Sequence, residues 1–328
     1  MRILLTGSSG WLGRYLAPRL AAAGHEVIGL DPAPGKHTQV IGSVADRALI
    51  DRVFADHGVE AVVHSGALHK PDIVRNPAQA FVDVNVTGTL NLLEAAVAAG
   101  HDRFVFTSTT SLMITEGIRS GRAGGATKAA WLDESFGPLE PRNIYGVTKR
   151  SAEQLCHLYN AQHGLAVTVL RTGRFFPEDD DTHDHLDGPN IKANEFLGRR
   201  LTVQDAADAH VVALAKAPQI GFGTFILAAP TSFAPDEAEE LLRDAPAVIA
   251  RHFPDAPKLY ARAGWTLPEH IDRIYDSRHA ERVLGFRCRT DFAAVLEALR
   301  RGEGLPFEHD PTYASPLLEA PRWPAGSK

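Results

Sequence analysis

Short runs of continuous apolar character alternate with amphipathic runs through the first half of this chain. The apolar runs are Arg2–Thr6, Glu26–Asp31, Gln39–Gly42, Ala61–Ser65, Arg103–Ser108 and Ala166–Arg171, rich in Val, Ile, Leu and Phe. Such runs predict strands buried on both faces. Between them, Leu12, Leu16 and Leu20 repeat at helical spacing, and Phe81–Ala99 and Tyr145–His163 read the same way. Strand and helix in alternation predict an α/β fold, a doubly wound parallel sheet covered by helices on both faces.

The regularity fails after Arg171. Pro177 to Pro189 is acidic and loop-like. Helices are expected at Val203–Ala217, Pro235–Phe253 and Asp291–Arg301, and a strand at Thr224–Ala229 completes the sheet. The tail from Gly302 carries five prolines and is expected to wrap over the surface. Two units follow: a dinucleotide-binding domain over 1–174, and a smaller mixed α/β lobe over 175–328 that carries substrate-binding elements and the tail.

Composition narrows the setting. A net charge of −6 over 328 residues argues against nucleic acid or an anionic membrane as a partner. Two cysteines, Cys156 and Cys288, form no metal-ligand spacing and no disulfide framework. No apolar run approaches a membrane span, and the chain enters its first strand without a basic-then-apolar leader. The expectation is a cytoplasmic protein acting on a small molecule.

The chemistry begins where the first strand ends. Gly7-Ser8-Ser9-Gly10-Trp11-Leu12-Gly13 joins that strand to an amphipathic helix. Gly7 permits a tight turn, Gly10 lets the backbone approach a diphosphate, and Gly13 lets helix and strand pack closely. Ser9, Trp11 and Leu12 complete the candidate loop. Asp31 ends the second strand about twenty residues on, placed to accept hydrogen bonds from a ribose. The same carboxylate repels a 2′-phosphate, so NAD is expected over NADP. Tyr145 and Lys149 stand four apart at the start of a helical run and share its face. A neighbouring ammonium, together with a positively charged nicotinamide, favours the phenolate and is expected to draw the phenol down from its ordinary value near 10.

Together TGSSGWLG, Asp31, His64-Ser65-Gly66-Ala67, Asn85-Val86-Thr87-Gly88-Thr89, Phe106-Thr107-Ser108-Thr109, Tyr145-xxx-Lys149 and Leu170-Arg171 resemble the extended short-chain dehydrogenases/reductases, the NAD-dependent epimerase/dehydratase family. Arg273–Leu284 and Gly285-Phe286 resemble that family's C-terminal lobe. The resemblance implies that Tyr145 is the base, that Lys149 holds the nicotinamide ribose, and that Thr109 hydrogen-bonds the reacting oxygen. It also implies that Ser65, Gly66 and Ala67 line the cofactor with Asn85 nearby. Ser43, followed by Val44, stands where members often place an aspartate against the adenine. A homodimer through the two helical runs at Phe81–Ala99 and Tyr145–His163 is implied as well.

Departures from the family pattern shape the expected reaction. Thr110-Ser111 follow Thr109 where dehydratases carry an acid pair, so elimination is not expected. Only about thirty residues separate Arg171 from Arg200-Leu201-Thr202-Val203-Gln204-Asp205, little material for clamping a nucleotide. This compactness resembles uronate dehydrogenase, and threonine-dehydrogenase-like members share the Ile144–Lys149 stretch. Arg174 replaces the usual asparagine and is either a grip for a substrate anion or a partner for the Glu178–Asp181 run. Thr110, Ser111 and Arg174 are the candidate substrate contacts.

The insert between Ser111 and Trp131 carries Arg119, Arg122 and Lys128 and is either a cationic lid or an exposed loop. The acid-and-histidine stretch Glu178–His185 is read as surface and no metal is expected. His64 and Cys156 are read as packed. The leading expectation is an NAD-dependent dehydrogenase oxidising a hydroxyl of a small polar, carbohydrate-like substrate, with sugar acids among the candidates. The alternatives are a sugar or nucleotide-sugar epimerase that retains NAD, and a redox-sensing binding protein, which the presence of both Tyr145 and Lys149 disfavours.

Overall fold

The computed structural model describes residues 1–179 and 186–316. Seven strands form one parallel sheet: β1 (Arg2–Thr6), β2 (Glu26–Asp31), β3 (Val40–Ile41), β4 (Ala61–His64), β5 (Phe104–Thr109), β7 (Val167–Thr172) and β8 (Phe222–Leu227), in the order β3-β2-β1-β4-β5-β7-β8. The remaining two, β6 (Ala130–Leu132) and β9 (Arg273–Tyr275), pair with each other in parallel. The winding reverses between β1 and β4, and a crevice opens there beyond the carboxyl ends of the strands, where this architecture places ligands.

Side-chain alternation along the strands divides the core in two. Ile3, Leu5, Val63 and Val105 face helix α1 (Trp11–Ala22) and the later helix that carries Ala206 and Leu214. Leu4, Val62, Phe104 and Phe106 face the opposite layer, built from α2 (Arg47–His57), α4 (Gly88–Ala98) and α6 (Ile144–His163). A short α3 (Ala78–Phe81) precedes α4, and α5 (Glu116–Ser120) lies between β5 and β6. Two residues of one strand thus serve two cores, which is why the runs read as continuously apolar.

A third cluster, including Phe196, Leu241, Val248, Tyr260 and Phe292, holds the lobe of α7 (Gly188–Glu195), α9 (Ala238–Arg243), α10 (Ala245–His252), α11 (Ala256–Ala263) and α12 (Phe292–Arg301). Between α7 and α9 in the chain, α8 (Val203–Ile220) packs on α1.

Several expectations are corrected. The strand expected over Gln39–Gly42 is only Val40–Ile41, because it pairs with β2 through two residues at the sheet edge. The helical run at Phe81–Ala99 starts earlier, at Ala78, and passes through a π-helical turn at Val82–Thr87. Within that turn Asn85 is inward and binds both the N–H and the carbonyl of Leu68, a local distortion with a bonding purpose. The helix expected over Pro235–Phe253 breaks at Asp244, whose carboxylate accepts the Ala247 N–H and caps α10. Pro246 enforces that break, since its ring would strike the Leu242 carbonyl in a continuous helix. Helix α8 runs three residues beyond the expected Ala217, and β8 starts two residues before the expected Thr224.

Candidate active site

The glycine loop lies in the crevice. Gly7 has φ +74, the left-handed region that glycine favours. A Cβ on Gly13 would meet the Gly7 carbonyl oxygen at 2.1 Å and Ser8 Cα at 2.7 Å, so helix α1 approaches the loop closer than any side chain allows. The N-cap of α1 is Gly10, which brings no side chain to the first-turn N–H groups. Those groups carry the positive end of a helix dipole. Gly7, Gly10, Trp11, Leu12 and Gly13 line a cavity of about 900 Å³ that continues across the carboxyl ends of β1, β4 and β5. A backbone this bare at a helix start fits a diphosphate.

Asp31, Ser43, Val44, Ser65, Gly66 and Ala67 line the same cavity. Asp31 is buried and accepts the N–H groups of Ser9 (3.2 Å) and Ala33 (2.9 Å). Burial pushes its carboxyl up from the ordinary value, and those two bonds oppose the rise. Ser9 and Asn85 are not among the lining residues. The Ser9 hydroxyl turns away to the Ala33 carbonyl at 2.7 Å, and the buried Asn85 amide is spent on Leu68 and on Thr148 Oγ1. Both act by holding the loops that line the cavity.

His64 holds the loop as well. Thr89 Oγ1 donates to the Asn85 carbonyl, so the His64 Nε2–H donates to Thr89 and the Thr6 hydroxyl donates to Nδ1 at 2.7 Å. Thr6 Oγ1 in turn accepts the Gly66 N–H at 3.0 Å. A chain of buried bonds thereby runs from helix α4 to the cavity wall.

Tyr145 and Lys149 enter from α6, whose first turn is capped by Asn143 accepting the Gly146 N–H at 2.9 Å. The Thr109 hydroxyl accepts the Ser111 N–H at 3.1 Å and bonds the Tyr145 phenol. Burial pushes the phenol up to about 12, with the Asp72 charge adding to the rise and the Thr109 bond opposing it. Lys149 is desolvated as well: burial pushes its ammonium down to about 7. Its Nζ donates to the Thr107 carbonyl at 2.6 Å and lies 3.9 Å from the Phe106 ring centroid.

Behind Lys149, one turn on, Glu153 accepts Ser108 Oγ at 2.6 Å and is gripped by Arg171 through Nε at 3.0 Å and Nη2 at 2.7 Å. This buried network locks α6 onto β5 and β7. It sets where Tyr145 and Lys149 stand.

The positive side chains that line the cavity include Arg119, Arg142, Arg174, Arg199 and Arg273, with Glu178, Asp179 and Glu195 lining it as well. Arg174 lines the cavity, and its Nη2 binds the carbonyls of Glu178 and Asp179, both at 3.2 Å. Arg199 and Arg200 both meet Glu195, at 3.2 and 2.7 Å. The insert after Ser111 folds into α5 and β6, and of its three cations Arg119 lines the cavity while Arg122 and Lys128 do not.

Thr110 and Ser111 line the cavity too, with Thr110 Oγ1 turned to the Thr172 carbonyl at 3.3 Å. Arg142 and Arg199 escaped the sequence reading because they lie in loops, and Arg273 and Tyr275 of β9 carry no site role in it beyond their place in the Arg273–Leu284 stretch. Residues 180–185 of the acid-and-histidine stretch lie outside the described residues. Among the described residues no group of three or more His, Cys, Asp or Glu is placed to hold a metal.

Comparison with known proteins agrees with this geometry. The profile described as "NAD dependent epimerase/dehydratase family" matches residues 3–191. A UDP-glucose 4-epimerase of Rhizobium meliloti is 35% identical over 177 residues, which cover 52% of this chain and 50% of that one. A uronate dehydrogenase of Pseudomonas syringae pv. tomato is 27% identical over 183 residues, covering 54% of this chain and 60% of that one. The chain therefore matches only about half of those relatives' length. A Thermus thermophilus UDP-glucose 4-epimerase crystallised with NAD superposes with TM-score 0.60 at 21% identity, over 92% of this chain and 99% of that one, a likeness of fold. The chain belongs to the NAD-dependent epimerase/dehydratase family, and NAD is its cofactor.

Proposed function

We propose that the protein oxidises a hydroxyl of a small polar, carbohydrate-like substrate by transferring its hydride to NAD, with Tyr145 as base. The observation that carries this is convergence: the glycine cradle, Asp31 and the Thr109–Tyr145–Lys149 group open onto one cavity. NAD supplies the hydride acceptor. Beside the positive charges of Lys149 and of a bound nicotinamide the Tyr145 phenol would ionise more readily, and the phenolate would take the hydroxyl proton from the substrate as the hydride leaves the same carbon. Thr109, fixed by the Ser111 N–H, would orient the reacting oxygen, and Lys149 would hold the nicotinamide ribose. Gly7, Gly10, Trp11, Leu12 and Gly13 hold the diphosphate, with Ser9 bracing that turn. Asp31 takes the adenosine ribose, Ser43 and Val44 the adenine, and Ser65, Gly66 and Ala67 the floor, with Asn85 behind them.

The substrate end favours an acidic group. Arg174 lines the cavity with Arg119, Arg142, Arg199 and Arg273, the last three each paired with an acid, and Thr110 and Ser111 offer hydroxyls there as well. Sugar acids are therefore the first substrates to try. The lobe from residue 175 onward supplies much of this wall, through Glu195, Arg199, Arg273 and Tyr275, which supports its reading as the substrate-binding part.

The second reading is a sugar epimerase that re-reduces the same carbon and keeps its NAD, supported by the likeness to UDP-glucose 4-epimerases. Denaturing freshly purified protein and quantifying released NAD(H) separates the two. Near-stoichiometric release favours the epimerase. Protein that is empty yet reduces added NAD with a sugar acid favours the dehydrogenase.

A homodimer fits the surface. Val82 on the π-helical turn and Val147 and Leu158 on α6 are exposed on adjacent helices. The two valines and the leucine would be covered by a second copy. Light scattering that finds only monomer at micromolar concentration would exclude it. Cys156 and Cys288 are free and buried thiols, which supports a reducing, cytoplasmic setting. No helix among the described residues is long and apolar enough to cross a membrane.

A further inference from the structure

The segment 307–316 runs from the lobe back to the start of α1 and is anchored at both places. At the lobe, the Phe307 ring stacks on Phe196 with centroids 5.6 Å apart. The Lys192 side chain of α7, 2% exposed, donates to His309 Nδ1 at 2.8 Å and to Asp179 Oδ1 at 3.0 Å. An ammonium only donates, so the His309 ring is held with Nδ1 bare. The lobe leaves room for this cluster by placing a glycine beside it. A Cβ on Gly188 would lie 1.9 Å from Asp179 Oδ1 and 2.4 Å from His309 Cε1. The Asp310 N–H donates to the Pro177 carbonyl at 2.9 Å and closes that end.

At the glycine loop, the Tyr313 ring packs on Trp11 with centroids 5.0 Å apart. The Arg14 guanidinium covers both rings, 5.2 Å from the Trp11 centroid and 5.5 Å from that of Tyr313. Trp11 is fixed at its edge as well, since its indole N–H donates to the Phe175 carbonyl at 3.2 Å. It is the first residue of α1, where a helix offers free N–H groups and a positive dipole end to an anion. Trp11, Phe175, Asp179, Tyr313, Ser315 and Pro316 line the same cavity as the glycine loop.

We propose that the segment 307–316 is a fixed strap that completes the cofactor site, with Tyr313 as an NAD-binding residue and Lys192 as the residue that positions it. The inference rests on the NAD reading of the glycine loop. The lobe end makes the strap a wall and not a moving part. Its release would leave the buried Lys192 ammonium short of an acceptor, which is costly. A wall over the start of α1 keeps water from the diphosphate. Excluding water strengthens the attraction between that anion and the helix start.

Calorimetric titration of the full chain with NAD, in wild type and variants, tests this. Tyr313→Ala should weaken NAD by a factor on the order of ten, and Tyr313→Phe, which keeps the ring, should restore affinity to within about two-fold. Lys192→Met should weaken NAD to the same degree. The double variant should be no weaker than either alone, because both substitutions act through one strap. Additive losses would overturn the positioning role of Lys192. Wild-type or tighter affinity in Tyr313→Ala would overturn the strap. If Lys192→Met does not fold, His309→Ala, which removes only the strap's acceptor, takes its place in the cycle. Failure of the wild type itself to bind NAD would overturn the cofactor reading, so the two failures are distinct.

Discussion

Replacing Glu153 with Gln tests whether the buried network behind Lys149 positions the site. Glu153 and Arg171 side chains are 6% and 8% exposed, and the carboxylate also holds the Ser108 hydroxyl. Glutamine keeps the shape but turns an NH2 donor toward the guanidinium donors, leaving a buried charge without its counterion. Breaking a buried pair from one side costs ~3–5 kcal/mol. Against a total stability on the order of 5–15 kcal/mol, that is a drop in Tm on the order of 10 °C. Urea denaturation followed by circular dichroism measures it.

The double variant Glu153→Leu with Arg171→Met removes both charges and should recover much of the loss. A second readout belongs to the site: Glu153 is one of the charges that oppose the fall of the Lys149 ammonium. The single variant should therefore titrate Lys149 at lower pH. A loss below ~1 kcal/mol, the range of an exposed pair, would refute the reasoning.

Gly13→Ala should destabilise the fold by ~1–3 kcal/mol and abolish NAD binding, because the added Cβ overlaps the Gly7 carbonyl. Gly304→Ala, with nothing within 4 Å, is the control that should do neither. His210 is buried with Nδ1 against the Ala206 carbonyl and Nε2 against Thr107 Oγ1, both at 2.7 Å, and burial pushes it down to about 4. A neutral native imidazole contributes stability in full above about pH 6.5, and that contribution falls as pH drops toward 4, by ~3 kcal/mol. Urea midpoints across that range should fall in the wild type and fall less in His210→Gln; equal slopes would exclude the assignment.

Where backbone periodicity and covalent spacing decide the outcome, the sequence is legible. The sheet strands, α1 and α6 follow from apolar runs that satisfy two cores at once, and the glycine loop from a spacing only a close helix–strand contact requires. Tyr145 and Lys149 share a face because four residues make a helical turn. What was not legible depends on distant partners. The break at Asp244 needs a cap as well as a proline, and β6 and β9 are three residues each, too short for any period to register. The rise of the Tyr145 phenol comes from burial, which spacing alone does not report. Tyr313 lies in a proline-rich tail with no pattern at all, yet its ring packs on Trp11 with centroids 5.0 Å apart and lines the cavity.

The central claim is that Tyr145 moves the substrate proton while the glycine loop holds NAD independently. Turnover and NAD affinity of Tyr145→Phe, measured side by side with wild type on a sugar-acid panel, test it most directly. Loss of the base should cut kcat by a factor on the order of 10²–10⁴ with the Kd for NAD nearly unchanged. Wild-type turnover in the variant would contradict the account.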